Sequence, residues 1–313
     1  MIYNLFRYSS GILLIIAAFF NFSCRFGEVH SVTTIGDMTL GVDENEYSLV
    51  KKETDEFMRL NKEAKINLKV KTTNELFADL LNGDIKTIIV DRELTQQETE
   101  YLAKFKIEVK KYKFALNGIG VIINPDNPVK KLNFNELSKI YKGEITDWKD
   151  LEGDNKDAYK GKIKPYIARY NSAMHEMFKS KVLQNKEFTK SDAICSTSTQ
   201  MLEEVRNNKY SIGFISMSWL TKFADTLDTV VKPVKLAQVD STGIIGDYVS
   251  LHQAYIAEKT YPLIFYVFVY SRDFEMNLSV GFTSFLVGRD GQQIVLNSGL
   301  VPETQPVRII QLK

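Results

Sequence analysis

From Met38 onward, short apolar runs alternate with stretches of helical period, the pattern of an α/β protein whose sheet is covered by helices. Met38-Thr39-Leu40-Gly41-Val42 predicts a strand, and Tyr47, Val50, Thr54 and Phe57 on one face predict a helix over about 45–60. A second unit pairs a helix carrying Leu76, Phe77, Leu80 and Leu81 with a strand at 87–90, and a third pairs a helix near 95–103 with a strand at 105–109. The apolar strand 118–123 runs into Asn124-Pro125-Asp126-Asn127-Pro128, which breaks the chain before a helix at 133–141 and predicts a first crossover into a second lobe. That lobe extends through the strand 211–215. After 231–239 and a loop at 243–246, the apolar strand 263–270 and helices near 277–287 and 291–297 complete the first lobe. The expected division is therefore lobe I at 38–117 and 231–313, and lobe II at 118–230.

The first 24 residues follow another rule. Arg7 is their only charge, 12–20 is apolar throughout, and Ser23 precedes Cys24, the layout of a signal peptide with an end like the lipobox of bacterial lipoproteins. The apolar run is shorter than the roughly 20 residues that span a bilayer. Residues 25–37 lack an apolar period and are expected as a spacer. Cys24 is then the lipid-bearing residue of an exported, membrane-anchored protein, although an ordinary cleavage site beside a chance cysteine gives the same local pattern. The second cysteine, Cys195, is either a disulfide partner for Cys24 or, if Cys24 carries lipid, a lone thiol used for packing.

Composition narrows the function. The 313 residues carry 44% hydrophobic and 25% charged side chains, enough for a folded body and too polar for a polytopic membrane protein. A chain of this length usually divides into two core-bearing units. The net charge of +1 is not the basic surplus that nucleic acid requires, so none is expected as a partner. His30, His175 and His252 have no metal-ligand spacing, and no catalytic triad order, HExxH motif, phosphate-cradling Gly loop or Cys/His cluster is present. No enzyme activity, cofactor or metal is expected.

Four segments carry a more specific signal: Leu137 to Trp148 with its Gly143 turn and Thr146-Asp147-Trp148 corner, Ser211-Ile212-Gly213-Phe214-Ile215-Ser216, Tyr261-Pro262-Leu263, and Gly291 to Val295 with Gly299-Leu300-Val301-Pro302. In this order and spacing they resemble the phosphate-binding proteins of phosphate ABC importers, over nearly the whole chain after the signal segment. The resemblance implies a type II periplasmic-binding-protein fold of two lobes joined by a hinge of two crossover strands. It also implies an extracytoplasmic, monomeric receptor that closes on inorganic phosphate or a similar oxyanion and passes it to ABC permease subunits. The four segments themselves read as structural, Trp148 packing a corner and Pro262 setting a turn.

Ligand residues are expected in the loops that end strands at the cleft. In the first, Val42 to Tyr47, Glu44 and Asn45 stand where the family has Ser and Thr. Asp43 reads as an N-cap and the neighbouring acids as partners of the helix dipole, which leaves Asn45 and backbone amides as donors. In the second, Asp91 matches the family carboxylate that accepts the phosphate proton, and Arg92 the frequent arginine; an Asp–Arg surface pair is the plainer alternative. In the third, Ser172 matches the serine of a Gly-Ser-Gly-Thr helix start, Asn171 and Met174 replace Gly and Thr, and Arg169 lies one residue from the family arginine. The fourth, Ser196-Thr197-Ser198-Thr199, is dense in hydroxyls; Ser198 or Thr199 is expected to cap the following helix, leaving the rest for an anion. Because Glu44, Asn45 and Met174 depart from the pattern, a second reading keeps the fold without phosphate binding, as a scaffold, a sensor or a binder of another ligand.

Overall fold

The computed structural model describes residues 32–152, 159–189, 193–223 and 226–304; Cys24 and the signal segment lie outside them. Its strands are β1 Gly36–Asp43, β2 Ala64–Lys71, β3 Thr87–Val90, β4 Lys110–Ile123, β5 Lys131–Asn133, β6 Lys164–Ala168, β7 Ala193–Cys195, β8 Ser211–Ser216, β9 Lys232–Pro233, β10 Lys235–Ala237, β11 Ile264–Ser271 and β12 Val301–Pro302. Its helices are α1 Tyr47–Leu60, α2 Thr73–Asn82, α3 Gln96–Phe105, α4 Phe134–Tyr141, α5 Ala173–Leu183, α6 Ser198–Asn207, α7 Met217–Leu220, α8 Leu227–Val230, α9 Gln253–Ala257, α10 Leu278–Val287 and α11 Arg289–Asn297.

The main sheet runs β2-β1-β3-β11-β4-β8-β6-β7. β1 pairs parallel with β2 and β3, and β6 pairs parallel with β7 and β8, so each end of the sheet is an α/β unit with helical crossovers. β4 joins them. Its first part lies antiparallel to β11, and from Ile119 to Ile123 it lies antiparallel to β8 instead. Tyr261 marks the change of partner, its hydroxyl donating to the Ile119 carbonyl at 2.8 Å. β9 pairs with Ile122 and Ile123, on the same part of β4 as β8, and β10 pairs parallel with β5. Strands buried on both faces read as continuous apolar runs: all four residues of β3 are buried, as are the last ten of β4.

Local chemistry explains most boundaries. α2, α3 and α4 each begin with a reciprocal capping box, Thr72 with Glu75, Thr95 with Glu98 and Asn133 with Glu136. The Trp148 indole is fully buried and donates to the Tyr210 carbonyl at 2.9 Å, fixing the corner after α4. Gly213 has a packing reason: a Cβ there would lie 2.5 Å from Met201 Sδ and 2.9 Å from Val205 Cγ2, so its absence lets α6 rest directly on β8.

The expected strand at 105–109 does not form. α3 continues to Phe105, whose ring lies 4.5 Å from that of Tyr101 one helical turn earlier, and Lys106 then ends the helix in the left-handed region at φ 53°. The alternation that suggested a strand belongs partly to this cap. β1 opens at Gly36, inside the stretch expected as spacer, and β2 is a strand that the apolar pattern had left unmarked. Among the described residues no helix is long and apolar enough to cross a membrane.

Candidate functional site

The carboxyl ends of β1, β3, β6 and β7 meet at one cleft, because parallel pairing brings their terminal loops together. β1 and β2 align Asp43 with Lys71, which sets Thr72 and Thr73 beside the end of β1. β6 and β7 align Ala168 with Cys195, so the loop at Arg169 faces the loop at Ser196. Between them lies a cavity of about 40 Å³, room for a small ion or a few waters, with Asp43, Glu44, Asn45, Arg169, Ser172 and Ser198 in its wall.

Asp43 holds the first loop in shape. One carboxylate oxygen accepts from the Asn45 amide at 3.0 Å and the other from the Thr73 hydroxyl at 2.7 Å, so the expected N-cap forms. The Asn45 side chain donates to Asp91 at 2.8 Å, and its carbonyl accepts from the Ser218 hydroxyl at 2.6 Å. Glu46 is fully buried and accepts from Asn117, which also donates to Ser216. Glu44 reaches across the cleft: its carboxylate accepts from the Ser198 amide at 3.0 Å and from the Ser198 hydroxyl at 2.8 Å, at the first residue of α6.

These acids share one environment. Burial, more than any other cause, raises Asp43, Glu44 and Glu46 above the ordinary carboxylate range, Glu46 to about 8. Asp91 stands well above it, through burial first and then the charges of Asp43 and Glu46. Among the described residues, Oδ1 of Asp91 and Oε2 of Glu46 are buried without a hydrogen-bond partner. The nearby cations are Arg169, which lowers Asp43, and Lys222, which lowers Glu44.

The cleft brings together four of the residues expected from the sequence, Asn45, Arg169, Ser172 and Ser198. Ser172 caps α5, accepting from the His175 amide at 3.2 Å while its hydroxyl donates to the Arg169 carbonyl. Asp91 lies one hydrogen bond behind the wall, reaching it through Asn45. Arg92 turns away: its guanidinium pairs with Glu98 and Asn74 and lies 4.3 Å over the Phe77 ring, so it braces α2 and α3. Asn171 is exposed in the turn before α5 at φ 66°, a conformation asparagine tolerates, and Thr199 is exposed on α6; neither lines the cleft. Thr197, rather than Ser198 or Thr199, caps α6, accepting from the Gln200 amide. That leaves both Ser198 donors for Glu44.

Sequence reasoning assigned Glu44 and Glu46 to the dipole of their own helix and passed over Asn117, Ser216 and Ser218. The signal that was available is chemical: a buried Asn in an apolar strand, and a Ser-Met-Ser end to β8, need partners that local sequence does not provide. Among the described residues Cys195 is a buried free thiol in the cavity wall, and burial pushes it up to about 12, which disfavours the thiolate. Among the described residues no cluster of metal-ligating side chains occurs.

Comparison with known proteins bears on this geometry. A family model described as a PBP superfamily domain matches residues 28–290. The chain is 28% identical over 155 residues to the phosphate-binding protein PstS of Staphylococcus haemolyticus, covering 49% of this chain and 48% of that protein. It is 26% identical over 183 residues to PstS of Staphylococcus aureus, covering 58% and 54%. It thus spans about half the length of the curated relatives it matches. Among solved structures, a putative phosphate ABC transporter substrate-binding protein with bound phosphate from Clostridium perfringens superimposes with a TM-score of 0.71 at 21% identity, over 85% of this chain and 99% of that one. An ABC-type phosphate transport receptor from Vibrio cholerae does so with a TM-score of 0.64 at 18% identity, over 85% and 100%. These likenesses show the fold, the two-lobed type II arrangement.

Proposed function

This chain belongs to the PBP superfamily, and on that footing we propose that it is the extracytoplasmic receptor of an ABC importer, binding a small oxyanion, phosphate, between its lobes. The observation that carries the reading is the Glu44 carboxylate on the amide and hydroxyl of Ser198: the start of α6 is built to hold an anion, and at present holds the chain's own. Ser172 at the start of α5 and the Arg169 guanidinium add donors on the same wall. In this reading, hinge motion of the lobe that carries β6, β7 and β8 against the lobe that carries β1, β2 and β3 opens the cleft to solute and hands it to the permease. The relatives named above are binding and transport proteins, in keeping with a receptor rather than an enzyme.

Cys24 carries the lipid anchor in this reading, and the protein acts as a monomer on the outer side of its membrane. Palmitate labelling lost in Cys24→Ser supports the anchor; labelling retained rejects it. A second reading, the same fold with phosphate binding lost, is favoured by the two carboxylates in the wall of the cavity, Asp43 and Glu44, with Glu46 and Asp91 buried close by. The two separate by thermal melting. A ligand bound only by the native state stabilises it by about 3 kcal/mol at a hundredfold excess over Kd. Millimolar phosphate therefore raises Tm by several degrees in the first reading and leaves it unchanged in the second.

A further inference from the structure

We infer that Glu44 is a built-in counter-anion: it latches the two lobes across the cleft through Ser198, and an incoming oxyanion has to displace it. This deepens the proposed function, because the competition between Glu44 and solute rests on the cleft being the oxyanion site. The latch does not.

Three observations converge on Glu44. Its carboxylate takes two donors of one residue, the Ser198 amide and hydroxyl, from a position 154 residues away in sequence. The helix it serves is not its own, since Asp43 already caps the first loop and Thr197 already caps α6. The loop bearing it is held against α7 by two further bonds, Trp219 Nε1 to the Glu44 carbonyl at 3.3 Å and Ser218 Oγ to the Asn45 carbonyl at 2.6 Å. Neither capping nor the local dipole accounts for the carboxylate; bridging does.

Ser198 contributes one N–H and one hydroxyl proton to the cleft, and both are taken. An anion that takes the Ser198 donors must therefore exchange with Glu44, and once released the carboxylate swings into a site that already holds Asp43 and, behind Asn45, Asp91. The charge set against ligand affinity is thus fixed by the residue at position 44. A neutral side chain there leaves the donors free.

The test places spin labels on the exposed positions of Glu100→Cys in α3 and Lys181→Cys in α5, in a Cys24→Ser background of the full chain, with Cys195 buried and unlabelled. Without ligand, the distance distribution is expected to be short and narrow with Glu44 and to shift to longer distances in Glu44→Ala, with Glu44→Gln between the two. Equal distributions in all three proteins overturn the latch. Phosphate affinity of the same proteins is expected to be at least tenfold tighter in Glu44→Ala than with Glu44 present, and unchanged or weaker affinity overturns the competition. If no variant binds phosphate, the phosphate reading has failed, and the distance measurement still decides the latch by itself.

Discussion

Asn45 joins the first loop to both neighbours, its side chain donating to Asp91 just after β3 and its backbone carbonyl accepting from Ser218 in α7. Removing its side chain leaves Asp91 buried with neither oxygen partnered, because Oδ1 already lacks a partner. Asn45→Ala is therefore expected to lower stability by about 2 kcal/mol in urea unfolding. A second buried acid gives a pH signature. Glu53 on α1 is fully buried with no partner for either oxygen, and burial alone pushes it up to about 9 from an ordinary value near 4.5. The native state thus binds this proton more tightly than the unfolded chain. The associated stability is complete below about pH 4.5 and is lost as pH rises towards about 9. Glu53→Gln should be no more stable than the parent near pH 4.5 and gain on it by about 1 kcal/mol per pH unit above that, read from unfolding midpoints across the range. A flat difference contradicts the assignment. At this scale the sequence was least informative: Asp43 as a cap could be read from its neighbours, whereas the partners of Glu44, Glu46 and Arg92 are set by tertiary approach.

The start of α6 is where element placement matters most. Thr197 caps it, Gly213 lets it lie close to β8, and Ser198 then faces the cleft. Thr197→Ala should cost about 1 kcal/mol of stability, measured by thermal melting, while leaving the Ser198 donors in place. Gly213→Val forces α6 away from β8 and should both destabilise by about 1–3 kcal/mol and weaken anion binding; full affinity in a folded Gly213→Val protein argues against the close approach as a requirement. Elements were largely legible where the apolar pattern was clear, as in α2, α4, β3 and β8. They were misread where a helix end imitated alternation, at Phe105 to Val109, and overlooked at β2, whose outer residues are mostly exposed at the sheet edge.

On the scale of the whole molecule, the two-lobed α/β arrangement was legible because four segments keep a family's order and spacing, and because the break after Ile123 marks where the chain leaves β4. The cleft was legible only in part: the loops that form it could be named, but which of their side chains face inward depends on register between strands far apart in sequence. Net charge of +1 gives no guide to a cavity with Asp43 and Glu44 in its wall and the buried acids Glu46 and Asp91 close by. Whether such a cavity still takes an anion decides the account. The most direct measurement is titration calorimetry of phosphate into the purified protein at low ionic strength, beside Ser172→Ala and Asp91→Ala. Saturable binding that weakens in both variants is the predicted result; no heat at millimolar phosphate, or affinity unchanged by either substitution, contradicts it.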